Sequence, residues 1–146
     1  MRIEKGHAAG NELDGRTTAH NLGMGRMVSR KKDCIGNVLS QRPEMIREDA
    51  VRLVGFRPVD RGARLIAGAH FITRGDEANM ENDQGWMSSV AHSPTLGHAI
   101  GLGFLKSGAA RMGETLRAVS PIHDIETEVE VVSPHFVDPE GERLGG

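Results

Sequence analysis

Apolar and polar residues alternate most regularly between residues 124 and 132. Four acidic side chains take one set of alternate positions, and Ile125, Thr127, Val129 and Val131 take the other. Successive side chains of a β-strand point to opposite faces, so the pattern predicts a half-buried strand. Its outer face carries four carboxylates, which discourages pairing with another chain. The carboxylates are those of Asp124, Glu126, Glu128 and Glu130.

A second pattern, at residues 85–105 (GWMSSVAHSPTLGHAIGLGFL), consists of two apolar runs around a turn. The runs at 86–92 and 99–105 are too short and too rich in glycine for helices. Pro94 has a fixed φ and no backbone donor, and Gly97 tolerates a positive φ, so the chain can reverse between them. The stretch predicts an antiparallel β-hairpin.

Three further apolar runs predict strands at 51–59, at 65–73 with an interruption at Gly68, and at 114–119. A polar stretch without periodicity, 74–84, predicts a loop. About six strands in some 90 residues, without a long helix, favour a mainly β, antiparallel, Greek-key-like barrel that is closed or nearly closed. Strands are thus predicted throughout the second part of the chain.

The first part predicts a short, irregular α+β leader. Thr17 and Thr18 can cap a helical turn that reaches Leu22, residues 22–28 predict a strand, and residues 37–41 predict one helical turn before Pro43. Residues 1–47 carry nine basic and five acidic side chains, and residues 48–146 carry nine and fifteen. This shift from +4 to −6 places a boundary near residues 41–49. The predicted units are therefore 1–47 and 48–146.

Composition narrows the class of protein. Aromatic residues make up only 3% of the chain, with one Trp and no Tyr, so an aliphatic core is expected. A net charge of −2 argues against a nucleic-acid partner. No apolar run approaches the roughly 20 residues of a membrane span, and no signal segment is recognisable. The single Cys34 fits a reducing compartment, and a cytoplasmic location is expected.

Candidate chemistry is sparse. His92 and His98 flank the predicted turn without a third ligand nearby in the sequence, so no metal site is predicted. The carboxylates of 124–130 could meet a hard cation, but a solvated strand face is the simpler interpretation. Ser89, His92 and Ser93 show no ordered nucleophile and base. No catalytic residue is therefore predicted.

Glycine pairs and basic residues give equally weak signals. Gly23-x-Gly25 and Gly101-x-Gly103 lack the following residues of a phosphate loop. The basic residues of the leader could attract an anion or an acidic partner, form a solvated loop, or dock on the acidic second part. These residues are Arg26, Arg30, Lys31 and Lys32.

Several stretches together resemble a known family. They are 1–6 (MRIEKG), 22–32 (LGMGRMVSRKK), 33–36 (DCIG), 52–58 (RLVGFRP), the hairpin 85–105 with its SPTLG turn, and 132–141 (VSPHFVDPEG). In this order they resemble the C-terminal part of the α subunit of heterotetrameric sarcosine oxidase. More distantly, they are similar to the glycine-cleavage T-protein, an aminomethyltransferase.

The resemblance implies a role in sarcosine oxidation and one-carbon transfer to tetrahydrofolate. In that family a folate-binding domain precedes the barrel. The catalytic Asp and the pterin-binding Glu of that domain lie upstream of the family segment that residues 1–6 resemble. We therefore expect a truncated polypeptide that is inactive alone, with 1–47 as a remnant of the folate-binding domain and 48–146 as the C-terminal barrel.

The resemblance also implies that Arg26 lies at the family's folate-stacking Trp position and that Leu53 replaces a family Arg. Both differences are expected to weaken folate binding.

A second hypothesis keeps the barrel as a non-catalytic module for interaction or assembly. The leader would then expose residues that pack against the upstream domain in the family, and such patches recruit partners. Self-association, or completion of a split subunit, would follow. The expected partners are other sarcosine oxidase subunits or an upstream folate-binding domain.

Overall fold

The computed structural model describes residues 1–29 and 31–144 of the 146-residue chain. Two one-turn helices, α1 (Asn37–Ser40) and α2 (Pro43–Ile46), precede the strands. Short 3-10 turns lie at Gly25–Met27, Gly108–Ala110, Pro121–His123 and Glu142–Leu144. The six strands are β1 (Val51–Pro58), β2 (His70–Thr73), β3 (Asp83–Ser93), β4 (His98–Lys106), β5 (Thr115–Ser120) and β6 (Ile125–Val132).

The strands close into a barrel in the order β1-β4-β3-β2-β5-β6, and every neighbouring pair is antiparallel. Closure comes from β1, which pairs with β4 along one edge and with β6 along the other. Because a closed barrel has no free sheet edge, its backbone hydrogen bonds are satisfied internally. The prediction of a six-stranded antiparallel barrel is confirmed.

Two predicted strands differ from the structure. The run 65–73 forms a strand only at His70–Thr73, because Gly68 takes a φ of 87° and the chain turns there. The predicted strand at 22–28 is wrong, because Gly23 also has a positive φ and a 3-10 turn follows it. The hairpin is longer than expected, since β3 begins at Asp83 inside the predicted polar loop. The helical turn predicted at 37–41 is confirmed as α1.

The interior of the barrel is less aliphatic than composition suggests. The side chains of Phe56 and Phe71 are fully buried and stack with ring centroids 4.0 Å apart. Met87 is also fully buried among them. Leucine and valine side chains complete this inner core: Val54, Leu65, Leu105, Leu116, Val129 and Val131. A few aromatic rings thus stack at the centre of an otherwise aliphatic core.

The alternating strand is confirmed as β6 from Ile125 onward, whereas Asp124 precedes it with a φ of 50°. Thr127, Val129 and Val131 are buried, and the acidic side chains of the other face pair with arginines on neighbouring segments. These pairs are Glu126–Arg117, Glu128–Arg74 and Glu130–Arg57. Three of the four carboxylates therefore form ion pairs, and the pairs with Arg57 and Arg117 join β6 to its two neighbouring strands.

Candidate functional site

A second apolar core lies outside the barrel, where the leader covers strands β1, β3 and β4. Ile3 packs with Leu53 of β1 and with Ile100, Leu102 and Phe104 of β4. Leu22 and Trp86 border the same cluster, and Trp86 meets Phe104 with ring centroids 5.2 Å apart. Leu53, which the sequence resemblance implies replaces a family Arg, is buried beneath the leader and is 8% exposed.

Glu12 attaches the leader to strand β3 with a fully buried carboxylate. Its Oε1 accepts hydrogen bonds from the hydroxyls of Ser88 at 2.5 Å and Ser89 at 2.6 Å. Consecutive residues of a regular strand point to opposite faces, but a bulge between Met87 and Ser89 breaks the register. The bulge lets both neighbouring hydroxyls reach one oxygen.

The other oxygen of Glu12 is also satisfied. Oε2 accepts a hydrogen bond from the backbone N–H of Ala9 at 2.9 Å and lies 3.3 Å from the guanidinium of Arg2. Burial alone raises the pKa of a carboxyl group, but the hydrogen bonds from Ser88, Ser89 and Ala9, together with Arg2, hold the pKa of Glu12 below its ordinary value. Glu12 is thus a buried, ionised structural group.

Asn21 attaches the leader to the start of β1. Its Nδ2 donates to the carbonyl of Val51 at 2.8 Å, and its own carbonyl accepts the N–H of Leu53 at 2.7 Å. Strand β6 pairs with β1 only from Gly55 onward. The leader therefore provides the backbone partner for β1 where β6 does not reach.

Glu4 holds the end of the hairpin and the segment after β6. Its carboxylate accepts the hydroxyl of Ser93 at 2.5 Å, which lowers the pKa of Glu4. Its carbonyl accepts the N–H groups of Phe136 and Val137. Two distant parts of the barrel thus depend on one leader residue.

Arg26, the one candidate cofactor-binding residue, lies in the 3-10 turn Gly25–Met27 and is exposed. It borders a cavity of about 550 Å³ with His20, Gly23 and Val28. A Cβ at Gly25 would come within 2.6 Å of the His20 ring, so glycine is needed for this close approach. Arg30, another basic residue of the leader, lies outside the described residues.

Three of the other residues considered from the sequence, Ser89, Ser93 and His98, have structural contacts. The hydroxyls of Ser89 and Ser93 are bound to the buried carboxylates of Glu12 and Glu4. His92 is exposed, whereas His98 is buried and hydrogen-bonded. Within residues 1–29 and 31–144, no three His, Cys, Asp or Glu side chains cluster in a way that could hold a metal ion.

The fold and this site define a class: a closed antiparallel barrel whose outer face carries a covering segment from its own chain. Residues 52–138 match the family described as the glycine cleavage T-protein C-terminal barrel domain, and the chain belongs to that family. The resemblance noted from the sequence motifs is confirmed.

Relatives extend the similarity over the leader. The chain is 38% identical to the sarcosine oxidase subunit alpha of Rhizobium meliloti (strain 1021) over 145 residues, 99% of this chain. It is 36% identical to the sarcosine oxidase subunit alpha of Corynebacterium sp. (strain P-1) over 149 residues, which is 100% of this chain. In both cases the match covers 15% of the relative, so the chain spans a small part of these proteins.

A solved structure supports the fold. The glycine cleavage system aminomethyltransferase T from Bartonella henselae superposes with a TM-score of 0.72 over 94% of this chain and 37% of that one, at 19% identity. Within the described residues, none of the helices has the length and apolar character needed to cross a membrane.

Proposed function

We propose that this chain forms the C-terminal barrel of a protein like the sarcosine oxidase α subunit, acting in sarcosine oxidation and one-carbon transfer to tetrahydrofolate. The observation that carries this proposal is the 38% identity to such a subunit over 99% of the chain, leader included. In this proposal residues 1–47 derive from the folate-binding domain and residues 48–146 form the barrel domain. The location is cytoplasmic, where the exposed Cys34 thiol would stay reduced.

The residues of this chain fit only part of a tetrahydrofolate site. Arg26 offers a cation beside a cavity and His20 offers an imidazole, whereas the half-buried Trp86 packs at a tilt against Phe104. Leu53 is buried and brings no charge. Tetrahydrofolate would supply the acceptor for a one-carbon unit, and Arg26 would contribute a contact to its anionic or aromatic groups.

The same geometry supports inactivity of the 146-residue polypeptide by itself. Its two buried leader carboxylates, Glu4 and Glu12, accept hydrogen bonds from serine hydroxyls and are held ionised. Neither is poised to exchange a proton with a substrate near neutral pH. Acid–base groups for folate chemistry would have to come from other residues of the complete assembly.

An exchange of segments tests the proposal. The matching C-terminal region of the Rhizobium meliloti α subunit is replaced with this chain, and sarcosine turnover and tetrahydrofolate affinity are measured on the assembled enzyme. We expect turnover to persist with weakened folate binding. We expect Arg26→Trp to strengthen that binding about two- to tenfold by adding a stacking ring, while Arg42→Trp changes nothing. An assembled chimera without turnover, in either form, would contradict the proposal.

The isolated chain gives a complementary test. Calorimetric titration with tetrahydrofolate should show no binding in the micromolar range. Tight binding would refute the idea that this chain contributes only part of the site.

The second candidate function, an assembly module, is favoured by one observation. Residues 25–47 expose a set of large apolar side chains, namely Met27, Ile35, Val38, Leu39 and Ile46. We propose that this surface contacts an upstream folate-binding domain or other sarcosine oxidase subunits, and that the isolated chain self-associates through it. Sedimentation at micromolar concentrations should show dimers or larger species that Val38→Glu reduces. A strictly monomeric profile would count against it.

A further inference from the structure

A separate cavity of about 650 Å³ lies where the second half of β1 meets the end of β6. The turn between β3 and β4 and the segment after β6 complete its wall. The lining side chains are two arginines, two histidines, one serine and three apolar residues: Arg57, Arg61, His98, His135, Ser133, Leu96, Val132 and Phe136. It thus has a basic part and an apolar wall.

The first arginine of this cavity is already neutralised. Arg57 makes a two-pronged contact with Glu130, with N–O distances of 2.8 and 3.0 Å. The pair raises the pKa of Arg57 and lowers the pKa of Glu130. Arg57 therefore brings donors to the cavity but little net charge.

The second arginine, Arg61, contacts a histidine, and its charge also contributes to the lowered pKa of Glu130. Its guanidinium contacts Nε2 of His98. The Nδ1–H of His98 donates to the carbonyl of Ala99 at 2.8 Å, and arginine can only donate, so Nε2 must carry the lone pair. In this arrangement Nε2 of His98 is the acceptor for Arg61. Asp60, the residue before Arg61, has a carboxylate that accepts the backbone N–H of Gly62 at 2.9 Å.

Charge and shape together indicate the ligand. A guanidinium that donates to an imidazole nitrogen keeps its positive charge and its remaining N–H groups, and its planar fork matches the two oxygens of an oxyanion. His135 lines the same cavity, with its Nδ1 bonded to the carbonyl of Lys5 at 2.9 Å. Leu96, Val132 and Phe136 would contact an apolar body attached to the anion.

We propose that this cavity binds a small molecule through a carboxylate or phosphate group, with Arg61 as the principal ligand and the apolar wall holding its body. The site is separate from the Arg26 segment. Leu53, beneath the leader, precedes Arg57 by four residues on β1, about 13 Å along the strand. The inference therefore does not rest on the proposed folate role.

Titrations of the 146-residue chain test this site. Benzoate, acetate and inorganic phosphate are added separately, and amide NMR shifts are followed. We expect saturable shifts at Gly97, His98 and Ser133, with benzoate binding at least about fivefold tighter than acetate because it fills the apolar wall. Phosphate binding as tightly as benzoate would identify a phosphate ligand. No saturable shift at these residues up to about 20 mM of any of the three anions would overturn the proposal.

Variants identify the ligand residue. Arg61→Gln should weaken benzoate binding at least about tenfold, and Arg61→Lys should give an intermediate loss because it keeps the charge but not the fork. Arg64→Gln, at an exposed neighbour outside the cavity wall, should leave binding unchanged. Thermal melting confirms that each variant is folded. Equal binding by a folded Arg61→Gln and the unchanged chain would refute the role of Arg61.

Discussion

The two halves of the leader differ sharply in how they meet the barrel. Residues 1–24 bury Ile3, Glu4, Glu12 and Asn21 against strands β1, β3 and β4. Among the described residues of 25–47, no side chain is buried and no hydrogen bond reaches a barrel strand. Similarity to the relatives nevertheless covers both halves.

The contrast is not one of hydrophobicity. Ile3 is 7% exposed, whereas Ile35, the same residue type, is fully exposed. What distinguishes the first half is its buried polar groups, each with partners on a strand. These bonds fix the position of the leader, and the apolar contacts then add stability. The second half has its apolar side chains available for another surface.

The largest effect is expected from removing an apolar contact of the first half. Ile3→Ala should lower the free energy of unfolding by about 2–4 kcal/mol because it leaves a cavity between the leader and β4. Ile35→Ala should change it by less than about 0.5 kcal/mol. Urea unfolding of both variants measures the difference, and equal effects would abolish the distinction between the halves.

The next effect concerns the buried carboxylate. Glu12→Gln should cost about 1.5–3 kcal/mol, since a neutral amide replaces the charged acceptor of the Ser88 and Ser89 hydroxyls. Glu44→Gln, at an exposed position in α2, is the matched control and should be nearly neutral. A neutral outcome for Glu12→Gln would mean that the carboxylate does not hold the leader in place.

A smaller loss is expected at the start of β1. Asn21→Ala removes the donor to Val51 and the acceptor for Thr18, and should cost about 1–2 kcal/mol. Asn37→Ala in α1 should have little effect. Thermal denaturation of the two variants compares the buried Asn21 with the half-buried Asn37, and the prediction fails if the variants melt alike.

The smallest effect is a pH dependence. The folded-state pKa of Glu12 is depressed, so its ionisation contributes stability above the unfolded pKa of about 4.3. That contribution is lost as the pH falls below this value and through the folded pKa. Unfolding measured between about pH 6 and pH 3 should therefore show falling stability, with a shallower fall for Glu12→Gln than for Glu44→Gln. Parallel curves would show that Glu12 does not titrate as described.

The sequence predicted the barrel well because its signals are local. The alternation at 124–132 and the Pro94 and Gly97 turn each specify an element from neighbouring residues alone. The pairing of Glu12 with Ser88 and Ser89 could not be predicted, because it spans more than 70 residues. Glu12 lies among glycines and polar residues that indicate a solvated loop, and the bulge in β3 has no clear sequence signal.

The candidate site was predicted less well than the fold. Arg26 was considered from its charge, but a role at a folate site came only from the family resemblance, and the strand predicted around it is a 3-10 turn in the structure. Its contribution to folate binding stays a prediction. The cavity lined by Arg57 and Arg61 could not be predicted from a motif, because its residues come from four separate segments.

Hydrogen exchange compares the two halves most directly. Peptides from residues 2–22 and 31–47 of the intact chain are followed by mass spectrometry at neutral pH. Amides of the first peptide should exchange at least about a hundredfold more slowly than those of the second, at rates similar to the amides of the barrel strands. Their exchange requires the first half of the leader to detach, which breaks the buried hydrogen bonds of Glu12 and Asn21. Fast exchange in both peptides, or equal protection of both, would contradict the claim that only the first half of the leader is fixed to the barrel.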